Sequence, residues 1–117
     1  MTFYFMGLIL GSGQYFCNAT NFDLGTVIIS NGINGLLDRN IGANLWVIFQ
    51  RHRNADWGLI DTNSKIENDL STHRGGVIMS KYNFCNDIIS VVTNQDSMET
   101  TVSLFSEIRE LHENLNN

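Results

Sequence analysis

Beyond Gly76 the chain carries three apolar, β-branched blocks with the character of extended strands. They cover residues 77–85, 88–93 and 100–105, linked by Asn86-Asp87 and by a longer loop over 94–99. Links this short force antiparallel pairing, because a parallel return needs a crossover of about a dozen residues. The C-terminal half is therefore expected to form a meander, with the preceding residues supplying what covers one of its faces.

Those preceding residues read mainly as helices. The β-branched run Thr26-Val27-Ile28-Ile29 predicts one further, buried strand. Asn31-Gly32 and Asn34-Gly35 are the strongest turn signals, beside a short helix over 33–40 that turns Leu36 and Leu37 inward. Residues 44–53 predict a second helix with a broad stripe of Leu45, Trp46, Ile48 and Phe49, ended by Arg51-His52-Arg53 where the helix dipole favours cations. Asp61 or Thr62 caps a third helix, Ile66 and Leu70 mark its inner face, and Gly75-Gly76 end it. A last helix over 107–115 puts Ile108, Leu111 and Leu115 on one face and pairs Arg109 with Glu113. The fold class expected is α+β: an antiparallel sheet of about four to five strands, with three to four helices packed mainly on one face. The 117 residues suit one domain, with a strand or hairpin extension over 1–20, a core over 22–108 and a C-terminal helix over 107–117.

Residues 3–10, Phe-Tyr-Phe-Met-Gly-Leu-Ile-Leu, lack the cationic flank of a secretory signal, since the first basic residue is Arg39. They read instead as a buried strand, with Gly11-Ser12-Gly13 turning into a second, which implies a cytoplasmic protein with reduced thiols. Cys17 and Cys85 then read as small buried hydrophobes. Twelve carboxylates against seven Lys and Arg give a net charge of −5, which argues against a face that binds nucleic acid directly. No apolar run approaches the roughly 18 residues of a membrane span.

Chemistry concentrates at Arg51-His52-Arg53-Asn54-Ala55-Asp56-Trp57-Gly58. As a site, this cluster offers an anion-binding surface, or an acid–base pair of His52 with Asp56. As structure, it offers cations at a helix end, an indole anchor at Trp57 and a backbone turn at Gly58. His52, His73 and His112 share no ligand spacing, so neither metal nor other cofactor is expected. The polar loop over 93–101 adds Thr93, Asp96, Thr100 and Thr101 as candidate recognition residues.

The same residues resemble small "plasmid-related" proteins carried on bacterial plasmids, integrative elements and phages. The likeness runs over about 22–108. It comprises Phe22-Asp-Leu-Gly-Thr-Val, Arg51-His52-x-x-Ala55-Asp56-Trp57-Gly58 with alanine where the pattern has its first glycine, and Glu67-Asn68-Asp-Leu70. It continues through Gly76-Val-Ile-Met-Ser80-Lys-Tyr82 and Val91-Val-Thr93-Asn94-Gln-Asp96-Ser97-Met-Glu-Thr100-Thr101. Asn94, Ser97 and Phe105 stand where the pattern has Glu, Arg and Pro, which removes two charges a catalytic site would use. The resemblance implies a mobile-element setting and no particular reaction.

Two functions follow as expectations. One is an acidic accessory protein that binds a protein partner, a basic nucleic-acid-handling host complex, and inhibits a defence such as CRISPR or restriction. Arg51, His52, Arg53, Asp56, Trp57, Thr93, Asp96, Thr100 and Thr101 would form its contact surface. The alternative is a small hydrolase or transferase centred on His52 and Asp56, with Asp96 and the loop over 93–101 as its opposite wall. An exposed strand edge would also permit a homodimer.

Overall fold

A computed structural model describes residues 14–108 of the chain. The element order is β1 (Thr26–Ile29), α1 (Asn31–Arg39), α2 (Trp46–Arg53), α3 (Thr62–Arg74), β2 (Val77–Phe84), β3 (Asp87–Asn94) and β4 (Glu99–Leu104). Residues 105–108 are helical as well. The fold is α+β, with a four-stranded sheet ordered β1-β4-β3-β2. The meander forms as its short links require, β2 and β3 joined by a tight turn in which Cys85 and Asn86 both have positive φ. β1 departs from the expected antiparallel scheme and runs parallel to β4. Three helices and two strands intervene between those partners, so no short link dictates their direction.

Alternation gives the sheet one continuous buried face. Ile78, Ser80 and Tyr82 of β2, Ile89, Val91 and Thr93 of β3, and Thr100 and Val102 of β4 share one face and are all fully buried. Ile33 and Leu36 of α1 pack on it with Leu45 and Ile48 from the start and middle of α2. A second cluster joins Phe22, Trp57 and Ile78, so the segment before β1 is part of the core although it has no regular secondary structure.

Several local expectations are corrected by this packing. Both Asn-Gly pairs lie inside α1, because Ser30 caps the helix by accepting from Ile33 N–H while Glu107 accepts from Gly32 N–H and from the Ser30 hydroxyl. Those caps, and the inward Ile33 and Leu36, outweigh the turn preference of the dipeptides. β1 is an exposed edge strand and not a buried one. Trp46 lies outside the α2 stripe. Cys17 is exposed, and Cys85 sits half-buried in the β2–β3 turn. Residues 14–20 form no strand; the expected strand over 3–10 and most of the helix over 107–115 lie outside the described residues.

α3 is the largest correction. Asp61 caps it and Gly75 ends it as expected, but Ile66 and Leu70 are 46% and 40% exposed. Its buried side is polar: Asn68, Asp69, Ser71 and Thr72. The reason is its position beside β2, where a helix must satisfy backbone. The Asn68 amide donates to the Met79 carbonyl at 2.7 Å and accepts from the Met79 N–H at 3.1 Å. Lys81 continues the edge, donating to the Trp57 carbonyl and accepting from Leu59 N–H. The outer side of β2 is thereby closed at both residues.

Candidate functional site

His52 is the next-to-last residue of α2, one turn after buried Ile48, so it points from the helix into the sheet. It has no exposed surface. Phe22 and Trp57 meet its ring edge-on, with centroids at 5.4 and 5.9 Å. Both ring nitrogens are bonded: Nδ1 to Ser80 Oγ at 2.6 Å, and Nε2 to Thr93 Oγ1 at 2.9 Å. Thr93 Oγ1 lies 2.7 Å from Thr100 Oγ1, whose hydroxyl donates to the Leu24 carbonyl at 2.6 Å.

The direction of this chain follows from counting protons. A carbonyl only accepts, so the Thr100 hydrogen is spent on Leu24. Thr100 must then accept from the Thr93 hydroxyl, which leaves Thr93 to accept from His52 Nε2–H. Burial pushes the His52 pKa down to about 4, so near neutral pH the ring carries one proton. That proton is on Nε2, and Nδ1 accepts from the Ser80 hydroxyl. One unbranched line of bonds thus crosses from β2 through α2, β3 and β4 to the residues leading into β1. It ends on a carbonyl and has no free acid or base.

Asp56 does not join His52. Helix α2 ends at Arg53, and Ala55 takes φ +63°, which swings Asp56 outward to Arg51 at 2.6 Å. The pair is exposed, and the Arg51 bond holds the Asp56 carboxyl below its ordinary pKa. The Arg51 guanidinium also lies 4.5 Å from the Tyr82 ring centre, and the Tyr82 hydroxyl donates to the Asp56 carbonyl. Trp57 is buried and donates through its indole N–H to Asp69. Arg53 lines a polar cleft of about 340 Å³ with Asn21, Phe22, Asp23, Gln50 and Asn54. Thr101 faces the opposite side of the sheet from Thr100 because strand neighbours alternate. Asp96 is exposed in the β3–β4 turn, beside Gly75. Asn94 shapes that turn by accepting from the N–H of Asp96 and of Ser97. The candidate residues therefore do not converge: His52, Thr93 and Thr100 form a sealed chain beside buried Trp57, Arg51 and Asp56 form an exposed pair, and Arg53, Asp96 and Thr101 lie apart from both.

Nothing in the sequence marks Ser80, Tyr15 or Asp69 as site residues. Asp69 is almost wholly buried, yet it accepts from the Tyr15 hydroxyl at 2.7 and 2.8 Å, from Trp57 Nε1 at 2.9 Å and from Asn18 N–H at 2.9 Å. Three donors on one carboxylate compensate its burial. Thr72 accepts from Thr20 N–H, and His73 bonds the Asn18 carbonyl, so α3 straps residues 15–20 down along its polar side. The only advance signal was an unusually polar third helix. Among the described residues no three His, Cys, Asp or Glu side chains gather closely enough to hold a metal ion. No helix of the described residues is long and apolar enough to cross a membrane.

Two outcomes are expected. Above pH 6.5 His52 is neutral in folded and unfolded chains alike. As the pH falls from 6.5 toward 4, the unfolded chain takes up a proton that the folded chain refuses, so stability drops by roughly 3 kcal/mol over that window. Urea unfolding at stepped pH should show this loss, and His52→Gln should be less stable at pH 7 but flatter in its pH dependence. Separately, Ala55 occupies the left-handed backbone region that costs an L-residue but not glycine. Ala55→Gly should raise the urea midpoint, corresponding to about 1 kcal/mol.

No family model, no curated protein and no solved structure matches the chain.

Proposed function

We propose that the protein acts by binding another protein through the surface at the α1–α2 junction, and not by transforming a substrate. The observation that carries this reading is a contrast in exposure. The imidazole and hydroxyls best suited to chemistry are spent on one another inside the sheet. Meanwhile Ile41, Trp46 and Val47, close together in the chain, are 100%, 66% and 61% exposed. An exposed tryptophan flanked by aliphatic side chains has the composition of an interface anchor, because aromatic residues dominate the energy of protein contacts.

The charge around this patch narrows the partner. Residues 38–56 carry Arg39, Arg51 and Arg53 against Asp38 and Asp56, so this stretch is net positive in a chain whose net charge is −5. A pocket that accepts Trp46 is therefore apolar and edged by carboxylates. Over longer range the net negative field favours a partner that is basic as a whole. A nucleic-acid-handling complex with one acid-edged apolar pocket meets both requirements. The resemblance to mobile-element proteins supplies a setting for it: inhibition of a host defence complex, of the CRISPR or restriction kind.

The test is retention of purified CRISPR or restriction complexes on the immobilised full-length chain. The wild type should hold one of them, and Trp46→Ser should hold it at least about tenfold less with an unchanged circular dichroism spectrum and melting temperature. Equal retention by Trp46→Ser, or retention of no such complex by the wild type, overturns the proposal.

A further inference from the structure

The two edges of the sheet are finished differently. β2 is closed by the Asn68 amide at Met79 and by the backbone of Trp57 and Leu59 at Lys81. β1 has no such cover among the described residues, and its four residues are all exposed. Parity fixes which of its groups are available. Thr26 N–H donates to the Met98 carbonyl and Ser30 N–H to the Val102 carbonyl, so the even-numbered residues face β4. The N–H and C=O of Val27 and Ile29 consequently point away from the sheet. No bond joins them to any other described element. The strand also lacks the lysine, proline or bulge with which edges are ordinarily protected.

We propose that β1 pairs with β1 of a second copy of the chain, antiparallel about a two-fold axis at Ile28, to make one eight-stranded sheet. The register is dictated by the chain itself. Only the outward groups of Val27 and Ile29 are available, and antiparallel pairing requires two residues to exchange both bonds. Val27 therefore lies opposite Ile29 of the partner subunit, and the reverse pair follows by symmetry, giving four main-chain bonds. Opposed residues share a face, so Val27 and Ile29 side chains meet on the helix side and the two Ile28 side chains meet on the other. No charged residue lies within Thr26–Ser30, so no like charges oppose one another across the axis. Four bonds and three apolar side chains per copy fall short of the ~800 Å² per partner of a standard interface, so the dimer is weak, with a dissociation constant on the order of micromolar.

Sedimentation velocity of the full-length chain across that concentration range, with hydrogen exchange read at Val27 and Ile29, tests the pairing. A concentration-dependent dimer is expected, in which those two amides slow their exchange. Val27→Pro removes an outward donor that β4 does not use, and should weaken dimerisation at least tenfold with little change in melting temperature. Because Val27→Pro also perturbs Thr26, a second pair of variants checks the register directly. Ile29→Lys and Val27→Glu should each be monomeric alone and form a mixed dimer when combined, since only this register sets position 29 against position 27. A chain that stays monomeric, with those amides either fast or already protected, overturns the proposal. So does a dimer indifferent to Ile29→Lys.

Discussion

An imidazole sealed in an apolar core imposes strict terms on everything around it. Each buried polar atom left without a partner costs about 1–3 kcal/mol, so both nitrogens of His52 must be bonded and their partners bonded in turn. Ser80, Thr93, Thr100 and the Leu24 carbonyl meet those terms as one continuous line. The line also specifies register. A one-residue slip of β3 or β4 would carry Thr93 or Thr100 to the other face and strand the chain midway. Apolar alternation gives the strands their faces, and the polar chain fixes which rungs align.

Asp69 repeats the same logic at the edge of the molecule. α3 buries its polar side because its task is to hold other backbone, through Asn68 at β2 and through Asp69 and Thr72 at residues 15–20. Its leucine and isoleucine are left outside as a result. Most of the groups that suggest catalysis are thus engaged in holding the fold. What remains at the surface is shape, an indole and an uneven distribution of charge, which is the material of recognition.

The meander, the Asp61 cap and the glycine stop of α3 were legible because each is decided within a few residues. The parallel direction of β1, the burial of an Asn-Gly helix and the inversion of α3 were not, because each is settled by distant partners: β4, Glu107 and Met79 respectively. The candidate site was legible in pieces. His52, Thr93 and Thr100 stood out separately, but their union needed the sheet register. A lone Ser80 on a strand and a lone Asp69 on a helix carry no periodicity that marks them. His52 and Asp56 stand close in the chain, but beyond the helix end the backbone turns left-handed at Ala55 and carries Asp56 away, which no local pattern announces.

The account stands on His52 being a neutral, fully bonded member of a closed chain, and nitrogen-detected NMR of the folded protein addresses that directly. The ring should appear as the Nε2–H tautomer at pH 7 and remain so down to pH 5, with a slowly exchanging ring proton. A ring that titrates near pH 6.5, or that carries its proton on Nδ1 in rapid exchange with water, would contradict the account and return His52 to the list of available catalytic bases.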